Sequence, residues 1–305
     1  MKKFVILLTL LFSQLAAAVS LQNAIVFGDS LSDNGNLWEY MERRVPISPP
    51  YYKGHFSDGP VWVEYLMESF YPRNSRKHLI DFAFGGAGIS EENDDSTLFT
   101  LKHEVDVYLL AHQKASPNSL FIVWIGANNY LALPDEVEST VIRVTQGINK
   151  ELERLAQSGA KYVLVVNLPD LGKTPMAREF DAEEQLSTLT LEHNKALNNA
   201  VTLLKAKYPN VTWISFDAHE SLDNIIAEPA KYGFTNATDT CYEAMIDKPS
   251  QQFLVKMAAR KPAFTFQSNC RGYVFFDPVH ATARTHSVMA QQVRDLLKRN
   301  GIVFK

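Results

Sequence analysis

The stretch 25-IVFGDSLSDNGN-36 changes character at its centre. Its first residues are apolar and largely β-branched or aromatic, which is typical of a buried strand, and this pattern ends at 28-GDS-30. Small and polar residues follow until a hydrophobic pattern resumes at Leu37. Taken alone, Ser30 is either the cap of a helix or a nucleophile held at the end of a strand. The choice between these interpretations depends on what the rest of the chain places beside Ser30.

Short apolar runs alternate with longer segments of helical period on the C-terminal side of this stretch. This alternation predicts an α/β fold, in which a three-layer, doubly wound parallel sheet carries helices on both faces. The strand candidates are 23-NAIVFGDS-30, 78-HLIDFAFGG-86, 119-SLFIVWIGANN-129, 161-KYVLVVNLPD-170 and 211-VTWISFDA-218. The helix candidates are 60–71, 102–114, 135–157, 182–207 and 282–299.

The N-terminus predicts export of the chain. Residues 1–18, MKKFVILLTLLFSQLAAA, combine two lysines, an apolar run and a small-residue end, which is the pattern of a secretory signal peptide cleaved after Ala18. No later window is apolar for long enough to cross a bilayer. We therefore expect a secreted protein, periplasmic or extracellular, with a single domain over 19–305. The formal net charge of −4 gives no reason to expect nucleic acid as a partner.

The segment 226–273 departs from the regular alternation. It is rich in Pro, Lys, Thr and aromatic residues and has no clear period, so it is interpreted as an irregular insertion rather than a second domain. It contains both cysteines of the chain, Cys241 and Cys270. In an oxidising compartment, such a pair favours a disulfide over two free thiols.

Chemically useful residues follow the strand candidates. Ligands of an open parallel sheet bind beyond the carboxyl ends of its strands. Three of those ends carry 28-GDS-30, 85-GGAG-88 and 126-GANN-129, which supply a hydroxyl, closely approaching backbone amides and a side-chain amide. These are the parts of an oxyanion hole around a hydroxyl nucleophile. In 274-VFFDPVHAT-282, an aspartate and a histidine flank a proline turn, so the carboxylate is able to orient the imidazole towards Ser30.

The blocks FGDSLSDNGN, FAFGGAG, IGANNY and FFDPVHAT resemble, in order and spacing, the four consensus blocks of the GDSL lipases, also called SGNH hydrolases. Two further stretches, 54-GHFSDGPVWVEYL-66 and 167-NLPDLGKTP-175, are similar to the bacterial secreted branch that includes lysophospholipase A and glycerophospholipid:cholesterol acyltransferase. The resemblance implies a flavodoxin-like SGNH fold. No G-x-S-x-G surrounds any serine, which argues against the nucleophile elbow of the α/β-hydrolases.

The resemblance also implies a role for each site residue. Ser30 is the expected nucleophile, His280 its general base and Asp277 the residue that orients the base. The expected oxyanion donors are the backbone amides of Ser30 and Gly86 and the side-chain amide of Asn128. No zinc motif occurs, and no metal or cofactor is expected.

Two residues depart from the family pattern, and both cast doubt on local geometry more than on activity. Asn129 stands where the family usually has Asp, and Ala281 stands where it usually has Pro.

Two other features have competing interpretations. His55 and Asp58 form either a second acid/base pair or part of a loop packed near the site. The cluster 91-EENDD-95 is interpreted as a solvated turn rather than a cation site.

The expected activity is that of a serine esterase. On the resemblance, its substrates are phospholipids or lysophospholipids at a membrane surface or micelle, and a sterol is an alternative acyl acceptor. Two other functions stay open on the same fold: a short-chain aryl or carbohydrate esterase, and a catalytically silent lipid-binding protein. The loop closed by Cys241 and Cys270 is a candidate lid, opened by an activating protease that cuts within 256–261, or else a stapled surface loop.

Overall fold

The computed structural model describes residues 18–90, 99–242, 258–259 and 269–305. Its strands are β1 Val19–Leu21, β2 Asn23–Gly28, β3 Leu79–Asp81, β4 Ser119–Trp124, β5 Tyr162–Val166, β6 Thr212–Phe216, β7 Asn236–Thr240, β8 Tyr273–Phe275 and β9 Ile302–Phe304. Its α-helices are α1 Asn36–Tyr40, α2 Trp62–Phe70, α3 Leu101–Ala111, α4 Ala127–Tyr130, α5 Val137–Ser158, α6 Pro175–Glu179, α7 Glu183–Lys207, α8 Ala218–Ala227 and α9 Ala283–Arg299.

The central sheet is parallel and has the strand order β3-β2-β4-β5-β6. All five strand candidates therefore lie in one sheet, and the predicted fold class is confirmed. The order reverses at β2, because the chain continues to β3 on one side of it and then to β4 on the other. Such a reversal opens a crevice at the carboxyl ends of the two central strands. Ser30 lies in that crevice, two residues after β2 ends.

Helices on both faces bury the sheet. Helix α2 packs against α9, while α5 packs against both α3 and α7. Every residue of β4, the central strand, is buried. Helix α5 carries an apolar stripe that faces this core, with Val144, Ile148 and Leu152 at most 1% exposed. The stripe is therefore structural, as its period of 3.6 residues predicts.

Two small sheets lie outside the central one. Strands β1 and β9 pair in parallel and join the two ends of the described chain. Strand β7 pairs with β8, although β7 lies inside the segment that was expected to be irregular. Its sequence, NATDT, has no buried residue and no apolar alternation, so periodicity gave no signal for a strand. Helix α8 also extends into that segment, as far as Ala227.

The predicted disulfide is confirmed. Cys241 directly follows β7 and is bonded to Cys270, which lies three residues before β8 begins. The bridge closes the segment proposed as a lid, of which 243–257 and 260–268 lie outside the described residues. The same holds for 1–17, most of the expected signal peptide, and for 91–98. Over the part of the chain that the structure describes, no helix is both long and apolar enough to span a bilayer.

Candidate active site

Ser30 lies in a tight turn that follows β2. The carbonyl oxygen of Asp29 accepts hydrogen bonds from the amides of Ser32 and Asp33, at 2.9 and 3.0 Å. The Oδ1 atom of Asp29 accepts from the amide of Leu31 at 3.0 Å. Burial raises the pKa of Asp29 to about 6. The turn therefore fixes the backbone on both sides of Ser30, which is itself 3% exposed.

Ser30, His280 and Asp277 form a continuous chain of hydrogen bonds. The Oγ atom of Ser30 lies 2.9 Å from Nε2 of His280, although the two residues are 250 positions apart in the sequence. Nδ1 of His280 lies 2.6 Å from Oδ2 of Asp277. A carboxylate at Nδ1 keeps the proton on that nitrogen, so Nε2 is free to accept the serine proton. The structure thus brings together the three residues that the sequence proposes as a catalytic triad.

The turn at Asp277 explains how the carboxylate reaches its own imidazole. Oδ1 of Asp277 accepts hydrogen bonds from the amides of Val279 and His280, at 2.8 and 2.7 Å. Burial alone would raise the pKa of Asp277. The positive charge available on His280, together with the hydrogen bonds from His280 and Val279, outweighs that effect and lowers the pKa below its ordinary value. Asp277 is therefore ionised at neutral pH and holds the ring through charge as well as geometry.

The proposed oxyanion donors lie on neighbouring loops. Gly86 has a φ of 81°, in the left-handed region that favours glycine. Within the described residues, neither its amide nor that of Ser30 has a hydrogen-bond acceptor. Nδ2 of Asn128 donates to the carbonyl of Ala87 at 2.6 Å, which ties the third donor to the loop that carries Gly86. One N–H of this amide therefore fixes the side chain and leaves the other for an anion.

Asn129 has a structural role that accounts for its departure from the family pattern. Its Oδ1 accepts from the amide of Ile89 at 3.0 Å, and its Nδ2 donates to the carbonyl of Ile89 at 2.9 Å. An ionised aspartate accepts hydrogen bonds but donates none, so only the amide makes both contacts. Ile89 lies three residues after Gly86. Asn129 therefore joins the two loops that carry the proposed oxyanion donors.

Two buried carboxyl groups accept hydrogen bonds from the same loops, and neither is among the site residues predicted from the sequence. Oε2 of Glu104 accepts from the amide of Gly28 at 2.8 Å, at the end of β2. Oδ2 of Asp33 accepts from the amide of Gly85 at 2.7 Å and so links the nucleophile turn to the Gly86 loop. Burial raises the pKa of Asp33 and raises that of Glu104 well above its ordinary value. Glu104 belongs to a predicted amphipathic helix, where no local pattern marks a functional carboxyl.

An apolar cavity adjoins the hydroxyl of Ser30. Besides Ser30, Asn128 and His280, its walls include the side chains of Trp124, Leu131, Leu171, Leu222, Ile225, Val274, Phe275 and Met289. These come from β4, the loops after α4 and β5, and α8, β8 and α9. The groups that could react with an ester therefore lie at the wall of a space that suits an apolar chain.

His55 and Asp58 do not pair with each other. Nε2 of His55 lies 2.7 Å from Oε2 of Glu64, and Oδ1 of Asp58 accepts from the amide of Ala283 at 2.7 Å. Burial lowers the pKa of His55, but Glu64 outweighs it and raises that pKa overall. Between them, Phe56 packs on the ring of His280 with centroids 5.0 Å apart. The segment is thus a loop packed against the site.

The loop after His280 is held without the proline that the family usually has. The carbonyl of Ala281 accepts from the hydroxyl of Ser57 at 2.9 Å, and Ala281 forms a bridge with Phe275. Within the described ranges, no group of three or more His, Cys, Asp or Glu side chains could hold a metal ion. The acidic cluster 91–95 lies outside those ranges.

A serine, a histidine and a carboxylate joined by hydrogen bonds at the switch point of a doubly wound sheet are the arrangement of a serine hydrolase, and no G-x-S-x-G nucleophile elbow surrounds this serine. The chain belongs to the GDSL-like lipase/acylhydrolase family, whose model matches residues 25–293.

Three bacterial proteins are similar to this chain. It is 32% identical to a phosphatidylcholine-sterol acyltransferase of Aeromonas hydrophila, with 95% of this chain and 96% of the relative covered. It is 29% identical to the thermolabile hemolysin of Vibrio parahaemolyticus, over 90% of this chain and 63% of the relative. It is 27% identical to the secreted effector protein SseJ of Salmonella typhimurium, over 87% of this chain and 61% of the relative. The chain thus spans less than two thirds of the last two proteins.

Proposed function

We propose that this protein is a serine acyl hydrolase that cleaves acyl esters of phospholipids or lysophospholipids at a membrane surface or micelle, with a sterol as an alternative acyl acceptor. The observation that carries the proposal is the hydrogen-bonded chain of Ser30, His280 and Asp277 at the wall of an apolar cavity. The hydroxyl is the nucleophile, and the cavity offers the acyl chain a place away from water.

Acylation begins with Ser30. Its Oγ attacks the ester carbonyl carbon while Nε2 of His280 removes the hydroxyl proton over the observed 2.9 Å contact. The carbonyl oxygen becomes an oxyanion, stabilised by the amides of Ser30 and Gly86 and the free N–H of Asn128. His280 then gives its proton to the leaving alcohol as the carbon–oxygen bond breaks. Asp277 stays ionised and stabilises the imidazolium between these steps.

Deacylation repeats the sequence with a second alcohol or with water. His280 removes a proton from the acceptor, the acceptor oxygen attacks the acyl carbon, and the proton passes back to the Oγ of Ser30. Water gives a free fatty acid, and a sterol hydroxyl gives a sterol ester. The same triad serves both outcomes, so the choice of acceptor depends on which molecule reaches the acyl-enzyme.

Two observations support a lipid substrate over a small polar ester. The cavity walls are mainly aliphatic and aromatic, which favours an acyl chain. The Aeromonas hydrophila relative, matched along nearly its whole length, is named for acyl transfer between a phosphatidylcholine and a sterol.

Export is supported by the disulfide between Cys241 and Cys270, because such bonds persist in oxidising compartments.

An acyl-release panel tests the proposal. Wild-type protein and Ser30→Ala are incubated with lysophospholipid, diacylphospholipid, triglyceride, a short-chain aryl ester, an acetylated sugar, and diacylphospholipid plus cholesterol, and the released fatty acid and sterol ester are measured. We expect the highest kcat/KM on a phospholipid or lysophospholipid and none of these activities in Ser30→Ala. A preference for the short-chain or sugar ester would replace the lipid assignment. Lipid binding without turnover of any ester would show a silent binding protein.

A further inference from the structure

Tyr51 touches the carboxylate of the proposed triad from a distant part of the chain. Its hydroxyl donates to Oδ2 of Asp277 at 2.8 Å, across 226 positions of sequence. The same Oδ2 accepts from Nδ1 of His280 at 2.6 Å. We propose that Tyr51 is a positioning residue for the reaction. It fixes the carboxylate of Asp277 and weakens the electrostatic attraction between that carboxylate and protonated His280. The proposal rests on the proposed function, in which His280 is the general base.

The hydroxyl of Tyr51 completes the shell around Asp277. Oδ1 of Asp277 accepts two amides of its own turn, those of Val279 and His280. Oδ2 accepts the imidazole and the phenol. Because the turn supplies donors to Oδ1 only, its amides do not prevent Oδ2 from moving away from the imidazole of His280. The phenol opposes that movement from the other side of the oxygen.

The ring of Tyr51 is held by other aromatic rings. It packs edge to face on Phe276, Tyr242 and Phe56, with centroid distances of 5.2, 5.8 and 6.0 Å. Tyr51 is 1% exposed. The amide of Tyr242 donates to the carbonyl of Phe276 at 2.7 Å. This hydrogen bond fixes two of the three rings to each other, and Phe276 is next to Asp277 in the chain. Such packing fixes the direction of the phenol and limits the entropy lost in the hydrogen bond.

The hydrogen bond also changes the charge that His280 faces. A donor on Oδ2 withdraws negative charge from the atom that stabilises the imidazolium, so His280 loses its proton more readily and stays a base at lower pH. Burial raises the pKa of Tyr51 well above its ordinary value, so the phenol remains a donor. Among the described residues, the other titratable groups that interact with this pair are Asp29 of the nucleophile turn, His286 of α9 and Tyr242.

The first test is the pH profile of Tyr51→Phe. We expect the rising limb of kcat/KM on a soluble aryl ester, which reports the base of the free enzyme, to move to higher pH by about half a unit or more. We also expect kcat on the plateau to fall, since the carboxylate is less well fixed. The matched control is Tyr108→Phe. It removes the hydroxyl of another buried tyrosine, which accepts a hydrogen bond from the amide of Ser116 and does not contact the triad. A Tyr51→Phe limb that coincides with those of wild type and Tyr108→Phe would overturn the proposal.

Two further measurements keep the test decisive if Tyr51→Phe folds poorly or the protein turns over none of the esters tried. Site-specific 3,5-difluorotyrosine at position 51 is a stronger donor of almost the same shape, so the limb should move to lower pH; a shift to higher pH would refute the charge argument. Titration of His280 by NMR in Ser30→Ala and in Ser30→Ala/Tyr51→Phe needs no activity. It should show the higher His280 pKa in the double variant, and equal values would reject the role of Tyr51 whether or not the protein is an esterase.

Discussion

Asn128 supplies the only side chain among the three proposed oxyanion donors, so its removal is the sharpest test of that part of the site. The oxyanion exists in the transition state and not in the bound ester, so the loss should appear in kcat rather than KM. Losing one such donor typically raises the barrier by about 2.7–4 kcal/mol. We therefore predict that Asn128→Ala lowers kcat by about a hundredfold to a thousandfold.

The fold should survive this substitution. Within the part of the chain that the structure describes, Nδ2 of Asn128 makes one hydrogen bond, to the carbonyl of Ala87 at 2.6 Å. A single neutral hydrogen bond contributes about 0.5–1.5 kcal/mol, and an unpaired buried partner costs about 1–3 kcal/mol, against a typical total stability of about 5–15 kcal/mol. The unfolding midpoint in urea should fall moderately, and circular dichroism should remain that of the wild type.

The assay measures kcat and KM on a soluble aryl ester, with Asn198→Ala as the matched control. Asn198 lies on the exposed face of α7, so its truncation should leave both constants unchanged. A folded Asn128→Ala protein with kcat within tenfold of wild type would refute the assignment of Asn128. An unchanged kcat with a raised KM would instead place Asn128 in substrate binding.

Three further predictions concern stability, measured by urea unfolding. Burial raises the pKa of Glu104 well above its ordinary value and so favours the neutral carboxyl, which a glutamine amide resembles in shape and charge. Glu104→Gln should therefore stay within about 1 kcal/mol of wild type, whereas Glu104→Ala leaves the amide of Gly28 unpaired and loses about 1–3 kcal/mol more; equal losses would contradict this. Burial lowers the pKa of His286 to about 3, while an unfolded histidine binds a proton below about pH 6.5. The folded state therefore loses stability from this residue as the pH falls from 6.5 towards 3, and the advantage of His286→Leu over wild type should grow by about 2 kcal/mol between pH 7 and pH 5; a constant difference would argue against it. Reducing the bridge between Cys241 and Cys270, 29 positions apart, should lower the unfolding free energy by about 3–4 kcal/mol, and equal midpoints with and without reductant would oppose this.

The central sheet was predictable because each of its strands lies in a stretch where short apolar runs alternate with helical segments. β4 is the clearest case, since SLFIVW is buried throughout and has the length of a strand. Strands β1 and β9 span three residues each and pair across the whole described chain, so neither local length nor period reveals them. β7 is polar for most of its length and has no buried residue, and only its pairing with β8 makes it a strand.

The proposed catalytic residues stand out in the sequence because each lies in a block with its own composition. Asp277 and His280 share one turn, and Ser30 ends an apolar run, so local patterns were enough to nominate all three. Tyr51 and Glu104 were missed for a physical reason. Each acts through one hydrogen bond to a residue more than 70 positions away, and such a contact leaves no periodic trace in the chain.

The most direct test of the central claim is to locate the nucleophile covalently. A fluorophosphonate forms a stable bond only with a serine activated by a base, so the labelled peptide identifies that serine by mass spectrometry. We predict one adduct per chain on Ser30, slower labelling in His280→Ala, and none in Ser30→Ala. An adduct on another serine, or undiminished labelling of Ser30→Ala, would contradict the assignment of Ser30 as the nucleophile of an acyl hydrolase.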